Sequence, residues 1–135
     1  MFKISPINDF EIQKSVAEAC GKVALPSYFA YSMNDAKSGM LMAFSQFEID
    51  GGKGYISDIS PRIGYDDFEA MFILGRATMN FIDLCGAHYC YAKRDAGNER
   101  LLRAIGFKDC GGEYLECDMT GMFDGHCDGH AVKLN

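Results

Sequence analysis

The spacing of apolar residues changes rhythm several times along the chain, and each change marks an element. Residues 2–6 alternate apolar with polar and predict a short strand. Asn8-Asp9-Phe10-Glu11 has the form of a capping box, with Asn8 as N-cap and Glu11 reaching back. The helix it opens presents Ile12, Val16 and Ala19 on one face and stops at Gly21. Residues 28–33 and 40–49 read as strands around the turn cluster Asn34-Asp35-Ala36-Lys37-Ser38-Gly39. A second turn, Asp50-Gly51-Gly52-Lys53-Gly54, leads into a strand over residues 55–60. Two consecutive hairpins predict an antiparallel meander.

The second half has a different rhythm. Asp66-Asp67-Phe68-Glu69 is an acidic helix start, and Phe68, Met71, Phe72, Gly75, Met79 and Ile82 then follow the helical period as far as Gly86. Ile73, Leu74, Ala77 and Phe81 make most other faces apolar as well, so this helix should be largely buried. A strand over 88–93, a short helix over 98–104, an extended restart at Gly106-Phe107 and a last strand over 113–119, paired across Gly111-Gly112, complete the chain. The order β-α-β-β-β-α-β-α-β-β describes an α+β (α/β) domain, one sheet with helices packed on it. It is expected to span residues 1–119, followed by a Gly/Asp/His-rich tail over 120–135. Met33, Met40, Met42, Met71 and Met79 are expected to fill gaps in the core. Tyr28, Phe29, Tyr31, Phe44 and Phe47 should pack in it too, with a pocket lining or a homodimer face as their other roles.

Composition narrows the classes of partner. The chain has 135 residues, 13 Lys+Arg against 19 Asp+Glu, and a formal net charge of −6. Nucleic-acid recognition driven by overall charge is excluded, since phosphate backbones are met by clustered Lys and Arg. A small-molecule amine or a basic peptide suits this field better. No apolar stretch is long enough to cross a bilayer and no signal-peptide h-region stands at the start, so a cytoplasmic protein is expected. Its six cysteines are then expected to be reduced thiols.

Two segments carry a more specific signal. Asp95-Ala96-Gly97-Asn98-Glu99-Arg100-Leu101-Leu102-Arg103-Ala104-Ile105-Gly106-Phe107 resembles the strand-then-helix segment of the GNAT superfamily of acyl-CoA-dependent N-acyltransferases, which closes in Leu-Gly-Phe. Tyr55-Ile56-Ser57-Asp58-Ile59-Ser60-Pro61 is similar to that family's central strand leading into its cofactor loop. The resemblance implies a mixed, mostly antiparallel sheet with a splayed parallel pair and helices on both faces. It implies acetyl-CoA as co-substrate, its pantetheine in the gap between the splayed strands and its pyrophosphate on the N–H groups opening the next helix. The backbone N–H near Ile59 would polarise the thioester carbonyl. Cofactor contacts then fall to Ile59, Ser60, Arg62, Gly64, Tyr65 and Asn98.

The chain also departs from the family pattern. Counted from Pro61, the family's Arg/Gln-x-x-Gly-x-Gly/Ala loop places its arginine near Gly64 and its glycines near Tyr65, Asp67 and Glu69. Asp66, Asp67 and Glu69 therefore stand where a pyrophosphate should dock. Two like charges roughly 4 Å apart near a protein surface repel by about 4 kcal/mol. Leu102 takes the place of a tyrosine that often serves as general acid, and the family's asparagine aligns with Asp95 or Asn98. Two functions follow: direct acyl transfer to a small amine or peptide amine, or a GNAT-fold binding or regulatory module that has lost CoA.

For catalysis the candidate bases are Asp58, beside Ile59, and Glu48 on the neighbouring strand. Tyr65 and Tyr91 are candidate donors to the leaving thiolate, while His88 reads as structural. In the tail, His126, Cys127 and His130 have donor types and spacing that can reach one zinc or nickel ion, with Cys117 or an aspartate completing the set.

Overall fold

The computed structural model describes residues 1–124. Its elements are β1 (Phe2–Pro6), α1 (Phe10–Ala19), β2 (Phe29–Asp35), β3 (Leu41–Asp50), β4 (Lys53–Pro61), α2 (Phe68–Leu84), β5 (Tyr89–Ala92), α3 (Glu99–Ile105) and β6 (Leu115–Asp118). The strands form one sheet in sequence order, antiparallel throughout except for the parallel pair β4–β5. The expected meander is present as β2–β3–β4, with α2 forming the crossover from β4 to β5. The mixed α+β architecture is as the pattern predicts.

The strand expected at Gly106-Phe107 shrinks to one isolated bridge, Lys108 to Glu116. Phe107 is driven into the core at 1% exposure, and the chain then turns at once. Asp109 fixes that turn by accepting from Gly111 N–H and from the Arg94 guanidinium. No residues remain there to run a second ladder.

Side chains alternate across β3 and so place the two helical layers. Phe44 packs with Ala17 of α1 and with Cys20, the C-cap of that helix. On the opposite face Phe47 joins Leu74, Met79 and Ile82 of α2, with Leu101, Leu102 and Ile105 of α3 in the same core. Gly75 allows α2 and α3 to touch, because a Cβ there would lie 2.8 Å from Ile105 Cδ1. Ile73 is left exposed on the outer face of α2. Met122 and Phe123 also pack on this core.

α1 sits differently from the expected geometry. Its N-cap is Asp9, whose carboxylate accepts from Glu11 N–H at 2.8 Å, rather than Asn8. The buried stripe is Gln13, Ala17 and Cys20, while Ile12 is 54% exposed. Gln13 turns inward because its amide bonds the Gln46 side chain at 3.0 Å, and a satisfied buried amide can replace an apolar contact. Met40 and Phe29 are exposed as well, Met40 at the end of the β2–β3 turn and Phe29 at the start of β2. Phe29 still stacks on the buried Phe47, with ring centroids 5.6 Å apart.

One irregularity positions the functional site. The β3–β4 register jumps between Gln46 and Phe47, so Ser57 of β4 is left over as a bulge. The β4–β5 ladder ends one residue earlier, at Ile56 with Ala92. Beyond the bulge β4 runs on to Pro61 without β5 beside it. The parallel pair splays there.

Candidate functional site

A cleft of about 400 Å³ opens where β4 leaves β5. Its walls are the end of β4, the loop into α2, the start of α3 and Lys22 from the connection after α1. Ile59, Ser60, Arg62, Gly64, Tyr65 and Asn98 all line it. Asn98 is also the N-cap of α3, its side-chain oxygen accepting from Leu101 N–H at 2.7 Å. The six residues converge because the bulge turns β4 away from β5 and α3 begins directly across the gap.

The charge in the cleft is more balanced than the loop sequence suggests. Asp66, Asp67 and Asp95 line it, but so do Lys22, Arg62 and Arg100. Arg62 is held by its Nε donating to Leu41 O at 2.8 Å, and its guanidinium lies 5.6 Å from the Tyr65 ring centroid. Arg100 stacks over Phe68 at 3.9 Å, which joins α3 to the first residue of α2. Sequence reasoning missed Lys22 and Arg100. Arg100 lies inside the GNAT-like segment and was legible there, whereas Lys22 arrives through tertiary folding alone.

At the start of α2 only part of the donor set is used. Asp67 caps the helix, its Oδ1 accepting from Ala70 N–H at 3.0 Å, and its Oδ2 accepts from the Tyr65 hydroxyl at 3.3 Å. Among the described residues the N–H groups of Phe68 and Glu69 have no protein acceptor. The Phe68 donor, with Arg62 and Arg100, fits an anion in the cleft. Glu69 does not line it.

The β4 edge is partly engaged by the chain itself. Ile59 N–H donates to Ala96 O at 2.7 Å, so the turn after β5 leans into the gap. Gly97 permits this approach: a Cβ at that position would lie 3.0 Å from Ile59 O. The thioester-polarising donor expected near Ile59 therefore already has an intramolecular acceptor.

Asp58 lies behind the cleft wall at 7% exposure. Its Oδ2 accepts from Gln46 Nε2 at 2.8 Å and from Ser57 Oγ at 3.0 Å, and Lys22 Nζ stands 3.7 Å from Oδ1. Glu48 and Tyr91 are not in the cleft. Glu48 accepts from the Tyr28 hydroxyl in a separate recess, and Tyr91 stacks on Tyr55 with centroids 5.2 Å apart. Leu102 is fully buried in the core. His88 pairs with Asp83 at 2.6 Å on the surface, away from the cleft.

Two protonation states bear on the chemistry. Burial and the neighbouring Asp67 raise the Tyr65 phenol, so it stays a proton donor at neutral pH. Burial pushes the Cys20 thiol, also on the cleft wall, up to about 11, with Arg62 opposing. Cys20 is therefore a neutral thiol and a poor nucleophile. Among the described residues no group of His, Cys, Asp and Glu is placed to hold a metal ion. His126, Cys127 and His130 lie outside the described residues. No helix among those described is long and apolar enough to cross a membrane.

The splayed parallel pair, with a cleft between β4 and α3, defines the GNAT N-acetyltransferase fold. Solved structures of that class superpose on the chain. A GNAT family acetyltransferase from Brucella melitensis in complex with acetyl-CoA matches with a TM-score of 0.65 and 15% identity, over 87% of this chain and 88% of that one. PaiA N-acetyltransferase from Thermoplasma acidophilum in complex with coenzyme A matches with a TM-score of 0.64 and 13% identity, over 86% and 96%. The ribosomal-protein-S18-alanine N-acetyltransferase from Escherichia coli gives 0.63 and 13%, over 86% and 90%. No protein-family model and no curated protein sequence matches the chain.

Proposed function

We propose that the protein is an acyl-CoA-dependent N-acyltransferase that passes its acyl group directly to a small amine or peptide amine. The observation that carries this reading is the cleft beside the unpaired end of β4, with Arg62, Arg100 and Phe68, whose N–H is free, in its lining. Those groups would hold the phosphates, and the β4 edge at Ile59 and Ser60 would lie along the pantetheine. Acetyl-CoA bound there supplies an activated acyl carbon. The amine nitrogen forms the new amide bond as the thioester C–S bond breaks, and the electron pair leaves on sulfur.

The chain's own contributions are positional and protolytic. Asp58, with Lys22 Nζ 3.7 Å from its Oδ1, is the candidate base that receives the amine's proton through water. The Tyr65 hydroxyl, in the cleft wall, is the candidate proton donor to the departing sulfur. A neutral Cys20 favours direct transfer over an acyl-enzyme. The reading includes a cytoplasmic setting, where exposed thiols such as Cys85 and Cys110 persist. A homodimer is part of the same proposal and is open to light scattering.

A second reading, a binding or regulatory module without CoA, is favoured by the Ile59–Ala96 hydrogen bond and by the buried Leu102. Calorimetric titration with acetyl-CoA separates the two. The acyltransferase reading expects a sub-millimolar Kd, and absence of saturable heat leaves the module.

A further inference from the structure

Part of the sheet has no helix over it among the described residues. Phe44 and Gln46 of β3 lie under α1. Glu48, on the same side of β3, pairs with Tyr55 of β4, Tyr55 with Tyr91 of β5, and Tyr91 with Glu116 of β6. Paired residues share a face, so this row crosses four strands on the side away from α2 and α3. The next row out runs Asp50, Lys53, Tyr89 and Asp118.

Tyrosine gathers on this face. Tyr55 stacks on Tyr91 with centroids 5.2 Å apart, Tyr89 meets Tyr91 at 5.4 Å, and Tyr114 meets Tyr55 at 6.2 Å. Tyr28 and Tyr114 wall one small recess beside them. Five of the chain's seven tyrosines are thus together, each only half-buried. Tyrosine is enriched at the centres of protein interfaces, where its ring packs and its hydroxyl stays satisfied.

The charges set among the rings are two of each sign, with Asp50 and Asp118 at the outer edge. Tyr28 and Tyr89 hydroxyls donate to Glu48 at 3.3 Å and to Glu116 at 2.6 Å, which holds both carboxylates in place. Lys53 Nζ lies 5.7 Å from the Tyr91 centroid, and Lys93 walls the recess beside Tyr114. None of these four has an ion-pair partner among the described residues. In a two-fold interface residue i meets j while j meets i, so a patch holding both signs can pair each lysine with a glutamate of the other copy. A partner of one sign would leave two of the four charges opposed.

We propose that this tyrosine face is where two copies of the chain meet as a two-fold homodimer. The assignment rests on the homodimer reading above and is independent of acyl transfer.

Sedimentation velocity on the whole chain, at tens of micromolar, should show a species of twice the chain mass. Lys53→Glu with Lys93→Glu makes the centre of the face wholly acidic and should weaken dimerisation at least tenfold. Glu48→Lys with Glu116→Lys makes it basic and should do the same. Mixed in equal amounts, the two variants should form a heterodimer at least as tight as the parent, because opposite signs then meet. Both lysines are exposed, so their reversal leaves the fold intact and decides the question if the glutamate variant misfolds. A monomeric parent would overturn the dimer and its face together, leaving the tyrosines to residues 125–135 or to a different protein. A dimer unchanged by the lysine reversal, or a mixture no tighter than either variant alone, would overturn the face and leave the dimer. Calorimetry with acetyl-CoA reads the acyltransferase separately.

Discussion

Neutralising the carboxylates at the cleft mouth, Asp66→Asn with Asp67→Asn, is expected to tighten acetyl-CoA binding about thirtyfold. Each removed charge relieves roughly 1 kcal/mol of repulsion toward a diphosphate at surface distances and physiological salt, and about 1.4 kcal/mol is a tenfold change. Folding should barely respond. Asparagine caps a helix about as well as aspartate, so Ala70 N–H keeps its acceptor. Calorimetry on the double variant and the parent gives the ratio directly. An unchanged or weaker Kd would show that these aspartates do not oppose the ligand.

The second large effect concerns stability. Gln46 is fully buried and uses its whole side-chain amide. It donates to Val23 O and Asp58 Oδ2, both at 2.8 Å, and accepts from Gln13 Nε2 at 3.0 Å and Leu25 N–H at 3.1 Å. Gln46→Leu keeps the volume and strips all four bonds. Asp58 then retains only Ser57 and Lys22, and the connection after α1 loses its anchor. Leaving several buried polar groups unpaired costs about 3–5 kcal/mol, a large share of the roughly 5–15 kcal/mol that holds a domain together. Urea unfolding should show the midpoint fall by that free energy divided by the slope m, with little change in m itself. Gln13→Ala, which removes one of the four bonds, should cost much less. A Gln46→Leu effect under about 1 kcal/mol would mean the network is not what seats α1.

The elements that depend on local pattern were legible in the sequence. The two hairpins, the acid-capped α2 and the Asn98-capped α3 stand where periodicity and cap residues place them. α1 was misread by one position because Gln13 counts as polar in any hydrophobic stripe, yet it is buried through a partner 33 residues away. The missing strand at Gly106-Phe107 has a similar cause, since Arg94 and Asp109 impose a turn on residues that read as extended. In the cleft, the six residues named from the GNAT resemblance converge because Ile59 and Ser60 lie on β4, Arg62, Gly64 and Tyr65 on the loop that leaves it, and Asn98 caps α3 across the gap. Lys22 and the Ile59–Ala96 bond were not legible, as both depend on how a connecting segment folds back on the sheet. The aspartates read from sequence as a filled anion site. With Arg62 and Arg100 beside them and two helix N–H groups still free, that site is only partly filled.

The account turns on whether acyl-CoA enters the gap between β4 and β5, and the Ile59 amide reports on that gap. In a 15N-labelled sample, saturating acetyl-CoA should move the Ile59 signal together with those of Ala96 and Gly97, as the Ala96 carbonyl gives up its donor at 2.7 Å to the incoming chain. Signals of Phe68 and Glu69 should move in the same titration. Calorimetric binding with the Ile59, Ala96 and Gly97 amides unmoved would contradict the account, because the ligand would then be bound somewhere other than the splayed pair.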